Sequence, residues 1–221
     1  MKSRVINGLI LLLGLSLLGA CHQQDTGTTS AFHFDDGALP EAKPWTSEDF
    51  KNETDNFQFA VIGDRTGGAD HRGIFDRAMD QLNLLQPEFV INVGDLVEGY
   101  TRDPAKLAAQ WDEVDAMLSK LEMPFFRTVG NHDLSNDVMV DVWRERHGPT
   151  YYHFLYEDVL FLVLNSEDPP RAAPETLEED IELYNRLQKE DPEKAKEMLD
   201  GFMASVASYL GKPANFSQEQ V

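Results

Sequence analysis

The stretch that decides the fold spans residues 125–133 and reads Phe125-Phe126-Arg127-Thr128-Val129-Gly130-Asn131-His132-Asp133. In it, a short apolar run is followed at once by glycine and polar side chains. Two earlier stretches have the same form, residues 57–64 ending in Gly63-Asp64 and residues 89–95 ending in Gly94-Asp95. Nearly continuous apolar runs of this length are typical of strands covered on both faces of a sheet. We therefore predict three buried strands, each ending in glycine and a polar residue.

Helices are predicted between these strands. Residues 73–86 and 105–122 carry apolar side chains at helical spacing, and each segment is followed by proline. Alternating strands and helices predict parallel strands joined by right-handed crossovers, so the expected fold class is α/β. Residues 151–165 contain two β-rich runs around Glu157-Asp158 and predict a hairpin. Residues 175–211 predict an acidic helical segment with two helices, whose apolar stripes we interpret as packing faces.

The bulk composition limits the number of domains and the class of partner. The chain has 221 residues, 42% of them hydrophobic, and a formal net charge of −20. This length suffices for one substantial core and is short for two. An acidic surface repels polyanions at long range, and the sequence contains no run of Lys and Arg. We therefore expect no nucleic-acid binding.

The amino-terminal segment predicts export and lipid attachment. Residues 1–20 begin with a short basic region, continue as a Leu-rich apolar run and end in small residues, which is the pattern of a signal peptide. The single cysteine, Cys21, follows directly, and the surrounding sequence resembles a bacterial lipobox. This resemblance implies a lipid on Cys21 and anchoring at the periplasmic face of the outer membrane of a Gram-negative bacterium. The alternative is a lone buried cysteine. Residues 21–56 show little apolar periodicity, and we expect a flexible tether there.

Polar side chains at the ends of parallel strands predict a ligand site. In open α/β sheets, ligands bind outside the carboxyl ends of the strands. Asp64 and Asp95 supply anionic oxygen donors at two of these ends, and Asn131 supplies a neutral one at the third. Oxygen donors suit Mg or Mn, whereas Zn and Fe sites usually add imidazole. A single Gly-Asp after a strand is often only a turn, but three such strand ends favour a metal site.

The three motifs resemble those of the calcineurin-like metallophosphoesterases, and Gly130-Asn131-His132-Asp133 is the most specific of them. The resemblance implies a four-layer α/β/β/α sandwich, of which residues 57–221 are expected to form the amino-terminal part. It also implies hydrolysis of a phosphate mono- or diester by two divalent metal ions (Mn, Zn, Fe or Mg) with a bridging hydroxide. The expected substrate is a phosphoester small molecule or another phosphorylated substrate.

The resemblance assigns roles to individual residues. It implies that Asp64 binds the first metal ion, that Asp95 bridges the two ions and that Asn131 binds the second. It further implies that His132 contacts the phosphate and stabilises or protonates the leaving group. A shared carboxylate fits the chemistry, because two cations about 3.5–4 Å apart need a common anionic ligand. Asp133 has two candidate roles, orienting His132 or capping a helix, and we favour the cap.

The histidines of the chain depart from the family pattern. Thr66 stands where the first motif of the family usually has a histidine ligand, and the sequence contains no Gly-His-any-His segment. His71, in the loop after the first motif, is a candidate substitute. His153 is expected to be structural, and His147 is expected to be a cation at a helix carboxyl end. The predicted metal ligands of this chain are therefore fewer than those of the family pattern.

Two interpretations follow from the short ligand set. The chain is either the amino-terminal portion of a longer phosphoesterase or a degenerate relative. Residues 217–220 match a capping box, which predicts the start of a helix and favours the first interpretation. The alternative function is a non-catalytic, lipid-anchored binding or scaffold module that kept the phosphoesterase fold.

Overall fold

The computed structural model describes residues 31–34, 41–52, 56–66, 70, 72–170, 173–174, 176–211, 213 and 215–220. The predicted signal peptide, Cys21 and His71 lie outside these residues. In chain order the described elements are β1 Phe32–His33, β2 Phe59–Ile62, α1 Ile74–Leu85, β3 Phe89–Asn92, α2 Pro104–Leu118, β4 Phe125–Phe126, α3 Asp137–His147, β5 Tyr152–Tyr156, β6 Val159–Val163, α4 Leu177–Glu190 and α5 Pro192–Leu210.

The three predicted strands form one parallel sheet in the order β2-β3-β4. Ile62 pairs with Asn92, and Ile91 pairs with Phe126, so the carboxyl ends of all three strands lie at the same edge. The two crossover helices, α1 and α2, are also found where the apolar spacing predicts them. Because the three strands are parallel and in register, the polar residues that follow them are delivered to one side of the sheet.

A second sheet has the order β1-β5-β6 and is antiparallel. The predicted hairpin is confirmed as β5 and β6, which pair from Tyr152 with Val163 to Tyr156 with Val159. Its side chains alternate between the two faces. Phe154 and Tyr156 point inward, whereas Leu155, Leu160 and Leu162 are exposed on the outer face.

Neighbouring residues of β3 point into two different cores, and this divides the molecule into layers. Val90 packs with residues of helices α1, α2 and α3 on one face of the parallel sheet. Phe89 packs with residues of the antiparallel sheet on the other face. The described residues therefore form helices, parallel sheet and antiparallel sheet in that order, which is consistent with the expected sandwich.

The core between the two sheets consists mainly of aromatic rings. The rings of Phe126 and Phe154 are stacked with centroids 4.2 Å apart, and Phe89 meets Phe126 edge-on at 5.5 Å. Phe161 stacks on Phe154 at 4.8 Å. Aromatic pairs in such arrangements add about 0.5–1.5 kcal/mol each beyond their buried area. The rigid contact between the sheets supports the strand ends of the parallel sheet.

Part of the segment expected to be a tether belongs to this core, which corrects the expectation for the described residues 31–34 and 41–52. Phe32 lies in β1 and pairs with Tyr156 of β5. Trp45 is buried, forms a bridge to Phe126 and stands edge-on to Phe32 at 5.6 Å. The apolar residues here are too few and too unevenly spaced to show a periodicity, yet Phe32, Phe34, Trp45 and Phe50 pack in the core between the two sheets.

The carboxyl end of α3 also differs from expectation. His147 was expected to be a cation there, but it is 3% exposed and packs edge-on against Trp111 and Trp143. Burial, together with the positive charges of Arg127 and Arg146, lowers the pKa of His147 to about 2. The imidazole is therefore neutral, because the cost of desolvating the cation exceeds its attraction to the helix end.

The acidic helical segment forms the paired helices α4 and α5. Leu177 and Leu187 of the predicted stripe are buried, and Leu177 packs against Tyr100. Lys106 of α2 forms ion pairs with Glu178 and Glu182 of α4. No helix among the described residues is long and apolar enough to cross a membrane.

The predicted capping box does not begin a helix in the described residues. The backbone N–H of Gln220 donates to the carbonyl of Ser217 at 3.2 Å, which closes a turn. The Gln220 side chain instead bonds both backbone groups of Asn165, accepting at 2.8 Å and donating at 3.1 Å. Gln220 therefore contacts the segment that follows β6, and Ser217 is its partner in the turn.

Candidate active site

Loops after β2, β3 and β4 carry the predicted site residues, and hydrogen bonds to Asp95 hold the three loops together. The backbone N–H of Arg65 donates to the Asp95 carbonyl at 3.0 Å, tying the first loop to the second. The backbone N–H of His132 donates to Oδ1 of Asp95 at 2.9 Å, tying the third loop to the second. Asp64, Asp95 and the Asn131-His132 pair thus belong to one connected group of loops.

Glycine is required where the second and third loops meet. A Cβ at Gly94 would lie 2.7 Å from the Cα of Gly130, and a Cβ at Gly130 would lie 2.2 Å from Oδ1 of Asp95. Any side chain at Gly130 would therefore displace the Asp95 carboxylate. Asp95 itself has a φ of 60°, in the left-handed region that residues other than glycine seldom adopt. Backbone strain of this kind is found mainly at functional sites.

Asp133 fixes the backbone of these loops, which corrects the preferred reading of it as a helix cap. Its Oδ2 accepts the N–H groups of Asp95 at 2.7 Å and Gly130 at 2.9 Å. Its Oδ1 accepts those of Leu96 at 3.0 Å and Val97 at 3.2 Å. Asn136 caps α3 instead, accepting the Met139 N–H at 3.1 Å. Asp133 is buried beside four backbone N–H groups, and its carboxylate accepts all four because buried donors need a hydrogen-bond partner.

His132 is held in one orientation by two contacts. Its Nδ1 lies 2.9 Å from the carbonyl oxygen of Glu98, and a carbonyl only accepts, so Nδ1 carries the proton of this hydrogen bond. The ring of Tyr100 meets the imidazole edge-on, with centroids 4.6 Å apart. This arrangement leaves Nε2 as the ring nitrogen for chemistry with a ligand.

Tyr100 also orients Asn131. The Asn131 side-chain amide donates through Nδ2 to the Tyr100 hydroxyl. With Nδ2 used in this way, Oδ1 is the atom of Asn131 that remains to bind a cation. Sequence reasoning missed Tyr100, because no short motif links a tyrosine to an asparagine 31 positions away.

Negative charge is concentrated around Asp95. Burial raises the pKa of Asp95, the hydrogen bond from His132 lowers it, and the carboxylates of Asp64 and Glu167 raise it further. Glu167 is buried near the end of β6 and was missed by the sequence analysis. The sequence feature that could have identified Glu167 is its position, an acidic residue four places after the apolar strand β6. Repulsion among these three carboxylates is relieved when a cation binds.

The donor chemistry fits divalent metal ions in part. Asp64, Asp95 and Asn131 offer oxygen atoms, which suit Mg or Mn. Thr66 is buried and supplies no imidazole. Within the described part of the chain, no three His, Cys, Asp or Glu side chains form a metal-binding group. His153 is exposed on β5.

Comparison with known proteins gives the family. The sequence model of the calcineurin-like phosphoesterases matches residues 57–197, which is more than half of the chain. The chain belongs to the calcineurin-like phosphoesterase family. The mixed α/β arrangement of two sheets and five described helices is consistent with this family, and the matched region contains all three strand-end motifs.

Three curated relatives of this calcineurin-like phosphoesterase are named serine/threonine-protein phosphatase CPPED1. The human protein is 25% identical over 173 residues, which is 73% of this chain and 51% of the relative. The Pongo abelii protein is 27% identical over 155 residues, covering 65% of this chain and 46% of the relative. The chain thus spans about half the length of the curated relatives it matches. No solved structure gives a significant match.

Proposed function

We propose that the protein hydrolyses phosphate mono- or diesters at the loops that carry Asp64, Asp95, Asn131 and His132. The observation that carries the proposal is the connection of three strand-end motifs through Asp95, whose backbone and side chain both accept hydrogen bonds from the neighbouring loops. Membership of the calcineurin-like phosphoesterase family supports this reaction class.

The metal ions of this proposal are held by oxygen donors. Asp64 would bind one ion, Asp95 both ions, and Asn131 the second through the oxygen that its bond to Tyr100 leaves available. When bound, two divalent ions neutralise charge on the phosphoryl oxygens and make water acidic enough to attack phosphorus as hydroxide. The negative charges of Asp64 and Glu167 near Asp95 support a cation site.

His132 acts on the leaving group in this proposal. The Glu98 carbonyl keeps the proton on Nδ1, and the Tyr100 ring fixes the plane of the imidazole. In the imidazolium form, Nε2–H can donate a hydrogen bond to a phosphoryl oxygen or transfer its proton to the departing oxygen. General acid catalysis of this kind typically contributes about 10²–10⁴ in rate.

A paired binding and activity measurement tests the proposal. Mn²⁺ is titrated calorimetrically into the chain, and hydrolysis of p-nitrophenyl phosphate is followed with the same protein. We expect both binding and turnover, and we expect both to be lost in Asp95→Ala. Asp158→Asn, in the exposed turn of the hairpin, is the control and should change neither.

The same measurement decides the alternative of a non-catalytic binding or scaffold module. Thr66 in place of the family histidine and the lack of a three-residue metal group in the described residues favour that alternative. A folded chain that binds no Mn²⁺ at millimolar concentration and has no turnover would overturn the hydrolase proposal and support the module. Turnover that persists in Asp95→Ala would overturn the assigned site.

The substrate class is proposed from the relatives. They are named serine/threonine-protein phosphatases, which makes phosphoserine and phosphothreonine peptides the protein substrates to test. Release of inorganic phosphate from a phosphoserine peptide, measured beside p-nitrophenyl phosphate, distinguishes a protein phosphatase from an enzyme restricted to small phosphoesters.

Lipid anchoring at the periplasmic face of the outer membrane is a separate proposal. It is supported by the sequence of residues 1–20 and by the position of Cys21 directly after them. Expression in a Gram-negative host with an alkyne-labelled fatty acid should label the protein and place it in the outer-membrane fraction. Cys21→Ser should abolish the label. An unlabelled wild-type chain, or a labelled variant, would refute the anchor.

A further inference from the structure

A cleft of about 530 Å³ lies beside the candidate site. One wall comes from the amino-terminal half of α3, including Val140, and another from Pro170, Ala173 and Pro174 before α4. Val140 and the three residues before α4 supply apolar side chains, whereas the other lining residues of α3 are polar or charged, and Tyr100 forms the side nearest the strand-end motifs. The cleft is large enough for the body of a small ligand.

Tyr100 is shared between the cleft and the proposed catalytic group. Its ring contacts the imidazole of His132, its hydroxyl accepts from Asn131, and the residue also lines the cleft. A single aromatic side chain therefore lies between the leaving-group side of the proposed reaction and the cleft. A ligand bound at Asn131 and His132 could extend past this ring into the cleft.

The charges at the cleft disfavour an anionic ligand body. Three carboxylates line it, from Asp137, Asp141 and Glu178. Two of them are paired, Asp137 with Arg102 and Glu178 with Lys106. Arg144 is the other lining cation, so the lining residues carry three carboxylates and two guanidinium groups. An added anion would therefore meet no surplus of positive charge.

We propose that this cleft holds an uncharged, apolar leaving group of the phosphoester, such as an aryl or alkyl body. The proposal rests on the hydrolase function proposed above and names its substrate class. The continuity through Tyr100 places the cleft on the side of His132. The apolar side chains of Val140, Pro170, Ala173 and Pro174 favour a hydrophobic body, and the excess of carboxylates over cations in the lining selects against an anionic one.

Kinetics with matched substrates test the proposal. Phenyl phosphate and methyl phosphate share the reacting group but differ in apolar body. Ala173→Trp fills the cleft and should lower kcat/KM for phenyl phosphate about tenfold or more, the usual effect of losing an apolar pocket, while kcat/KM for methyl phosphate is unchanged. Ala109→Trp, at an exposed position on α2, is the matched control and should alter neither value. Equal losses for both substrates in Ala173→Trp would overturn the proposal.

A binding measurement separates this proposal from the hydrolase function. Benzyl alcohol carries the apolar body without phosphate and is titrated into Asp95→Ala while backbone amide shifts are recorded by NMR. Shifts at Val140 and Ala173 that saturate, and that are absent in the Asp95→Ala/Ala173→Trp double variant, support the cleft even if the chain hydrolyses nothing. No saturable shifts at these residues would refute the cleft, whatever the outcome of the activity assay.

Discussion

The carboxylate of Asp133 accepts the backbone N–H of Asp95 at 2.7 Å, joining two residues 38 positions apart. The same carboxylate accepts three further N–H groups, from Gly130, Leu96 and Val97. Burial and the charge of Asp95 raise the pKa of Asp133 to about 7, whereas the N–H groups of Gly130, Val97 and Asp95 lower it. One buried side chain therefore sets the backbone of two of the three loops that form the candidate site.

Asp133→Asn should destabilise the fold. The new amide group donates where the carboxylate accepted, so two N–H groups face another donor. We expect the free energy of unfolding to fall by about 2–4 kcal/mol, measured by urea denaturation with tryptophan fluorescence. Asp80→Asn on the exposed face of α1 is the control and should stay within about 0.5 kcal/mol of wild type. A variant as stable as wild type would show that Asp133 does not hold these loops.

Tyr100→Phe should weaken metal binding without unfolding the chain. The substitution keeps the ring against His132 but removes the hydroxyl that accepts from Asn131. Loss of such a supporting contact typically lowers metal affinity about 10–100-fold, and we expect the lower end for Mn²⁺ by calorimetry. Tyr184→Phe on α4 should leave the affinity unchanged. Equal affinity in Tyr100→Phe and wild type would contradict the orienting role of Tyr100.

His147→Phe should remove part of the pH dependence of stability. The pKa of His147 is about 2 in the folded chain, below its usual value of 6.5. Between these values the unfolded chain binds a proton that the folded chain does not, so stability falls as pH decreases below 6.5. From pH 7 to pH 5 this group accounts for a loss of about 2 kcal/mol in the free energy of unfolding.

The phenylalanine variant lacks this component and retains an aromatic ring between Trp111 and Trp143. Among the described residues, Nε2 of His147 has no hydrogen-bond partner, so the substitution breaks no bond at that atom. Urea unfolding at pH 7 and pH 5 should show a smaller pH effect in His147→Phe and an unchanged effect in His153→Phe, an exposed site on β5. Identical pH dependence in His147→Phe and wild type would refute this assignment.

Trp45→Ala tests whether residues 41–52 belong to the folded domain. Trp45 is 5% exposed and contacts the rings of Phe32, Phe126 and Tyr152. Truncation should lower the free energy of unfolding by about 3–5 kcal/mol. Phe216→Ala removes a half-exposed ring and should have an effect below about 1 kcal/mol. A small effect at Trp45 would restore the tether interpretation of this segment.

Asp95→Asn should stabilise the metal-free chain. It removes a partly buried negative charge near Asp64 and Glu167 and keeps an oxygen that accepts from His132. We expect a gain of about 0.5–2 kcal/mol in the free energy of unfolding without metal, and no further gain when Mn²⁺ is added. A variant less stable than metal-free wild type would show that burial and charge repulsion at the Asp95 carboxylate do not destabilise the metal-free chain.

The elements and motifs that could be predicted from sequence are those with short-range patterns. Short segments rich in apolar and β-branched residues identified the strands before Asp64, Asp95 and Asn131, and helical spacing identified α1 and α2. For helix α3, the sequence predicted only a carboxyl end near His147, and the weaker apolar pattern gave no bounds. Parallel pairing follows from the alternation of strand and helix, so the common edge of the three motifs was also predictable.

By itself, the sequence determined the α/β class, the three strand-end motifs and the family, because each depends on residues within a few positions of one another. Only the tertiary structure decided that Asp133 holds the Asp95 backbone, that Tyr100 orients Asn131, that His147 is neutral and that Phe32 and Trp45 join the core. These outcomes depend on burial and on contacts between residues tens of positions apart. Local spacing carries no information about such contacts, since hydrogen-bond partners and desolvation are set by the packed chain.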